Sequence, residues 1–453
     1  MEFCPQKHIC SSKEDRDRLS ELPDEVIINI LSCMPTIDAV RTVLLRRFGN
    51  LWTFIHTLNF DYAEFRDKLG TKGNTQHKWF CRFIHNVLML HQNLSINTFD
   101  LCIEFDKAAV DDLREWFRFA LDRQAKEIRL SGEIYDAEFN IDCSSMLPNL
   151  TSQFLVTLDL MYCDLEGELQ VNLGSLKKLS LYWVDMSDEI FERFISGCPS
   201  LQELVIENPY WTNDLSFSAP NIAKLSLFLT CDIQLSYPFS LNFPNLKSLY
   251  LEIDFWELNI IDVSSVRDIY VKYFKVPVNL NLNGDESFTT KKMFGKLENI
   301  EVFQLSNDAS KPFLYAIQDV QLLRHKWKHI VLELQELSNR CLLGIYHLMT
   351  SLKHLEELDI YTTKTFNART YLQRLPSPYV TPQLKTITLY GYGRTWRNQL
   401  QLIEFLLKRA AVLDKLVIVP MKGHQLKAEK KLEFVKDVAN FRRASPSVRV
   451  VFA

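Results

Sequence analysis

One short pattern, an apolar residue followed three and five positions later by two more, recurs along nearly the whole chain and limits what it can fold into. It appears as AKEIRL at 125, LVTLDL at 155, LKKLSL at 176, LQELVI at 201, IAKLSL at 222 and LKSLYL at 246. It continues as VRDIYV at 266, LENIEV at 297, WKHIVL at 327, LEELDI at 355, LKTITL at 384 and LDKLVI at 413. Alternating apolar positions over six residues specify a short strand with one buried face. Repetition at a spacing of 20 to 31 residues means that each unit buries that face by stacking on its neighbours. Proline stands two residues ahead of the leading apolar position in four units, at Pro199, Pro220, Pro244 and Pro382. With φ fixed and no N–H to donate, proline suits the entry to a strand and not its interior.

This spacing is that of leucine-rich repeats, and LVTLDLMYCDL, from Leu155 to Leu165, fits the full L-x-x-L-x-L-x-x-C-x-L pattern. The expected fold class is therefore α/β: a parallel-sheet horseshoe whose inward leucines, Leu158 and Leu160 among them, form one continuous core. Helices are expected over 187–196 and 398–413, where Ile403, Leu406, Leu407 and Ala410 recur at helical spacing, and over 107–124. A strand in 96–105 is expected to start the stack, which runs over 96–378 behind a helical linker at 61–95.

Composition removes most other functions. The chain has 453 residues, 47% hydrophobic, with 52 Lys and Arg against 56 Asp and Glu, so the basic excess of a nucleic-acid binder is missing. Glycine, at 13 residues, is scarce, which leaves few places for backbone to cradle a phosphate. The ten cysteines include no C-x-x-C pair, so neither a metal site nor a disulfide framework is expected. The first twenty residues lack the apolar run of a secretory signal, and no apolar run is long enough to span a bilayer. A reduced, cytoplasmic and/or nuclear protein follows, in which the sequons at Asn93 and Asn149 have no consequence. No phosphate-binding loop, H-E-x-x-H or G-x-S-x-G occurs, and each histidine lacks an acid or nucleophile at motif spacing. The expectation is no catalytic residue, no metal and no cofactor, with Gly391-Tyr392-Gly393 read as a turn after a strand.

Residues 17–52 stand outside the repeat. Pro23, Asp24 and Glu25 mark the start of a helix, Val26, Ile27, Ile30, Leu31 and Met34 give it an apolar stripe, and Pro35 stops it. Thr36 is placed to cap a second helix carrying Val40, Val43 and Leu44. A segment this small has more apolar residues than it can hide, which is what a docking module looks like.

Asp17-Arg18-Leu19-Ser20, Leu22 through Val26, Ile30-Leu31-Ser32 and Pro35-Thr36, followed by Ala39 to Thr42, Arg46-Arg47 and Leu51-Trp52, resemble the F-box. Phe48 stands where that motif usually has tryptophan, and the stretch before the paired arginines is one residue short. The resemblance implies an F-box over 15–60 that binds the Skp-type adaptor of an SCF (Skp–cullin–F-box) ubiquitin ligase, and through it cullin. Leu19, Leu22, Pro23, Val26, Ile30, Leu31 and Pro35 are its implied adaptor contacts. At the other end, 384–393, Ile403 to Leu407, 412–418 and 443–448 resemble the FBD domain of plant F-box proteins, here over 379–453, where it would close the solenoid as a cap.

A protein of this kind holds a target and does no chemistry of its own. The seventh residue of each unit points away from the core, and Tyr182, Phe228, Phe303, Tyr361 and Tyr390 occupy that row, with Tyr250 and Tyr270 beside it on the fifth-position row. These are the candidate target contacts, because aromatics concentrate at protein-binding hot spots. The leading reading is an SCF substrate receptor. Two alternatives stay open: a small-molecule-dependent co-receptor on the same scaffold, and a binding scaffold whose F-box no longer engages the adaptor.

Overall fold

A computed structural model describes residues 19, 21–69, 76–93, 95–104, 110–133, 141–142, 149–165, 167, 169–207, 216–228, 240–252, 265–272, 297–317, 322–365, 383–392, 396–420 and 428–452. Asp17, Arg18, Ser20, Pro382 and Gly393 lie outside them. The chain divides into two compact units, 1–176 and 177–453.

The first unit opens with two helices, Asp24–Ser32 and Thr36–Arg41. Four parallel strands follow: Thr57–Asp61, Thr98–Glu104, Glu127–Glu133 and Thr157–Met161, each paired to the next. The sheet thus begins one strand ahead of 96–105. Helices Tyr62–Leu69 and Gln76–Leu90 connect the first two strands and Val110–Asp122 the next two. In the last of these Leu113, Trp116, Phe117 and Ala120 fall on one face and are buried, as their three- and four-residue spacing requires.

The N-terminal helices are tied to this sheet and do not stand apart from it. Thr36 does not cap its helix; its buried hydroxyl accepts the Asn59 N–H of the first strand at 2.7 Å. Ser32 likewise accepts from the His56 N–H at 2.9 Å, and Lys68 bridges Asp38 and Glu64. Sequence pattern alone suggests a separable module because it registers only the change of period.

In the second unit eleven strands pair in parallel and in chain order: Lys178–Tyr182, Glu203–Glu207, Lys224–Phe228, Ser248–Glu252, Asp268–Lys272, Val302–Leu305, His329–Leu337, Glu357–Thr365, Thr386–Tyr392, Lys415–Pro420 and Arg449–Phe452. The fourth and sixth positions of each repeat lie inward, so Leu204 and Ile206 oppose Leu179 and Leu181 on one side and Leu225 and Leu227 on the other. Full burial of each such side chain contributes roughly 1.5–3 kcal/mol. Repeat length selects what covers the other side of the core. Longer repeats insert helices, Asp188–Ser196, Asn307–Ala316, Asn339–Ser351 and Trp396–Arg409, whereas the short ones at 201 and 222 use strands Ser216–Ser218 and Ser240–Asn242, themselves parallel. Ser187 caps the first of these helices, its hydroxyl accepting from the Ile190 N–H. At the C-terminal end, helix Ala428–Ala439 buries Phe434 and Val438, and Phe434 meets Phe452 of the last strand edge-on.

The prolines act as expected at Pro199, Pro220 and Pro244. They stand in tight turns where the leading apolar N–H bonds back three residues, Leu201 to Cys198, Ile222 to Ala219 and Leu246 to Phe243. Asn221 and Asn245, each following a proline, donate their side-chain N–H to the carbonyl of the preceding repeat's proline at 2.8 and 2.7 Å. Gly391 is a β-bulge inside the strand and not a turn after it: its φ is +93°, and a Cβ there would collide with the Thr362 carbonyl.

One repeat is set in a different frame from LENIEV. Phe303 and Leu305 oppose Ile269 and Val271, so the unit is Ile300-x-x-Phe303-x-Leu305, and Phe303 is an inward core residue with 0% exposure. It stacks on Trp327, centroids 4.7 Å apart at 11°, and contacts Phe313. Four apolar residues spaced three, three and two apart admit both frames. The turn resolves them: Ile300 N–H bonds to the Leu297 carbonyl as Leu246 does to Phe243.

Candidate functional site

Two surfaces merit attention, one in each unit. On the first helix, the 3.6-residue period sorts the apolar stripe into two faces. Ile27 and Leu31 turn inward, Leu31 to 3% exposure, while Val26 and Ile30 face solvent with Leu19 and Pro23. Leu22 and Pro35 are half-buried. Leu31 therefore holds the helix in place and does not offer itself as a contact. Past the second helix the chain tightens into a single 3-10 turn, Thr42–Leu44, too short to have an inner face. Val43, Leu44 and Leu45 are all exposed, Leu44 to 86%. The Arg47 guanidinium donates to the Leu22 carbonyl at 2.9 Å and pairs with Asp24 at 2.6 Å, which draws this turn back to the start of the first helix. Sequence reasoning placed Val43 and Leu44 on a longer second helix and left out Leu45. Three consecutive apolar residues beside paired arginines were the available signal.

In the second unit the open face of the strands carries the aromatic residues in two stacks. Phe228, Tyr250 and Tyr270 come from three successive strands. Phe228 and Tyr250 are 4.8 Å apart at 33°, and Tyr250 and Tyr270 are 4.6 Å apart at 13°. Tyr361 and Tyr390, register partners, lie 3.9 Å apart and parallel within 2°. Tyr182 is half-buried opposite Glu207. Phe303 is removed from this row by the frame just described.

Carboxylates stand among the rings. Glu252, buried, takes the Lys272 ammonium at 2.6 Å and the Tyr250 hydroxyl at 3.4 Å. Glu207 and Glu333 are half-buried, and desolvation raises both above the ordinary carboxylate range. Burial next to these acids keeps the tyrosine hydroxyls protonated, Tyr270 to about 12. Charges on the third-position edge are matched: Glu203 pairs with Lys178 and Lys224, and Glu301 with Arg267 and Lys328.

Nothing here is arranged for nucleophilic chemistry. Cys81 and His77, one helical turn apart, approach to 3.7 Å, but burial foremost and then Asp112 push the thiol up to about 11, so no thiolate forms at neutral pH. Among the described residues no His, Cys, Asp and Glu gather closely enough to hold a metal, and no helix is long and apolar enough to cross a membrane. An apolar cleft of about 460 Å³ lies between helix Asp188–Ser196 and the turn at Ala219 to Ile222, off the aromatic face.

The profile of the F-box domain matches residues 19–53, and that of the At1g61320/AtMIF1 leucine-rich-repeat domain matches residues 87–280. Relatives come from Arabidopsis thaliana. The F-box/LRR-repeat protein At3g59200 is 29% identical over 320 residues, which cover 68% of this chain and 58% of that protein. The F-box/FBD/LRR-repeat protein At5g56420 is 32% identical over 53% of this chain and 56% of its own. This chain thus spans little more than half the length of these two. The FBD-associated F-box protein At5g56380 is 26% identical over 96% of this chain and 100% of its own length. Among solved structures, a Bacteroides fragilis protein aligns over 64% of this chain and 74% of its own with 12% identity and a TM-score of 0.32, too distant to bear on the fold.

Proposed function

We propose that this chain, an F-box protein with leucine-rich repeats, is a substrate-recognition subunit of an SCF ubiquitin ligase acting in the cytoplasm and/or nucleus. The observation that carries the reading is the exposed apolar surface within the F-box match, Leu19, Val26, Ile30 and Val43 to Leu45. A chain gains nothing by leaving six apolar residues in water unless a partner covers them. That partner is a Skp-type adaptor, with cullin behind it. The aromatic face of the second unit holds a protein target. Catalysis then needs only proximity: tethering raises the effective concentration of target lysines at the ubiquitin-conjugating enzyme without a reactive group on this chain.

Co-purification with a recombinant Skp-type adaptor tests this. Leu44→Asp places a charge where the surface is most exposed, so the fold tolerates it. Adaptor affinity should fall by roughly 2–4 kcal/mol, the scale of a hot-spot loss. Wild-type co-purification by the variant would refute the assignment of this surface.

A further inference from the structure

The two aromatic stacks run along the same direction, across neighbouring strands, so each ends in a ring whose outer face looks along the sheet. Tyr390 covers one face of Tyr361, and the other is turned toward the register partner on the next strand, which is Glu333. Tyr250 covers one face of Tyr270, and the other is turned toward strands Val302–Leu305 and His329–Leu337. Between the end rings lie those two strands alone, a span of roughly 14 Å at a strand spacing of about 4.8 Å. Around the slot the side chains facing outward are Gln304, Val331 and Glu333, of which Glu333 bears the charge.

Glu333 is central to this slot. Its charge acts on the hydroxyls of Tyr250, Tyr270 and Tyr361, members of both stacks. The nearest cation acting on it is Lys272, whose ammonium is taken up by Glu252 at 2.6 Å. The seventh-position row of this region therefore has Glu207, Glu252 and Glu333 against one lysine, while the charges along the neighbouring edge are balanced. Two aromatic faces with a half-desolvated carboxylate between them attract a cation that is flat enough to lie on a ring and can donate two hydrogen bonds. A guanidinium has that shape; an ammonium, compact and strongly hydrated, fits it less well.

Taking the aromatic face as the target-holding surface, we propose that the slot between Tyr270 and Tyr361 receives an arginine from a basic segment of the target, its guanidinium stacked on a tyrosine ring and paired with the Glu333 carboxylate. The interaction sets which targets are held: basic segments are drawn in, and acidic ones are repelled by the three glutamates.

The full chain, titrated by fluorescence anisotropy with labelled degenerate peptide pools that differ only in a fixed central Arg, Lys, Gln or Glu, tests this. The Arg pool should bind roughly tenfold tighter than the Gln pool, with Lys between and Glu weakest. Glu333→Gln, nearly isosteric, should bring the Arg pool down to the Gln pool while leaving the melting temperature and adaptor co-purification unchanged. Equal binding of the Arg and Gln pools, an Arg preference that survives Glu333→Gln, or binding of no pool at all overturns the proposal. Binding that is lost in Tyr361→Ser but shows no Arg preference would overturn the arginine slot alone and keep the aromatic face as the holding surface.

Discussion

Phe303 and Tyr361 look alike in sequence, each an aromatic closing a repeat unit, and the structure assigns them opposite roles that a melting experiment separates. Phe303 has no exposed surface and sits against Trp327 and Phe313, both buried. Replacing it with alanine removes a full aromatic ring from a closed site, which costs about 3–5 kcal/mol when the surroundings cannot collapse. In a unit of this size each kcal/mol lowers the melting temperature by about 2–4 °C, so the drop should be of the order of 10 °C. Tyr361 keeps 36% of its surface in water and loses mainly its stack on Tyr390. Tyr361→Ser should cost about 1–2 kcal/mol, a shift of a few degrees. Thermal unfolding of the full chain followed by far-UV circular dichroism reads both. A Phe303→Ala protein melting within a degree or two of wild type, or a Tyr361→Ser protein losing as much as Phe303→Ala, would refute the frame assigned to this repeat.

Thr36→Val keeps the shape of a fully buried side chain but strands the Asn59 N–H; a loss of about 1–3 kcal/mol is expected in chemical denaturation of the full chain, and no change would mean that the N-terminal helices are not anchored through this bond. His329 donates to or accepts from Asp359 at 3.3 Å, and that hydrogen bond foremost raises its pKa above 6.5. Because the folded pKa is the higher, the stabilisation is fully present below about 6.5 and is lost as pH rises through the raised value. The melting-temperature gap between wild type and His329→Gln should be widest in mild acid and close above neutrality; a gap independent of pH would show that the pair does not titrate as stated.

The architecture was legible in the sequence because a repeat states its fold many times. At Leu158 and Leu160, or Leu225 and Leu227, alternation gives the strand, spacing gives the parallel stack, and proline gives the entry turn, so that local pattern and burial agree. Pattern failed where it admitted two answers. Leu297, Ile300, Phe303 and Leu305 fit two frames equally, and only pairing with Ile269 and Val271 chose between them, because register is a property of two strands and not of one. Extending the template back to the apolar residue three before the unit, Phe243 before Leu246 or Leu297 before Ile300, would have found it.

The docking surfaces divide in the same way. The sequence by itself determined which residue types are available: the apolar surplus at 19–45 and the aromatics at the ends of the strands. Tertiary structure decided which of them are presented. Leu31 is buried and Ile30 exposed because one residue on a helix is a turn of 100°, and Leu44 is exposed because a 3-10 turn has no inside. Glu333 drew no notice in the sequence, being one glutamate among many. Its place between two tyrosine stacks arises from strands contributed by residues 268–272 and 357–365, nearly a hundred positions apart, which only the stacking of repeats brings to either side of it.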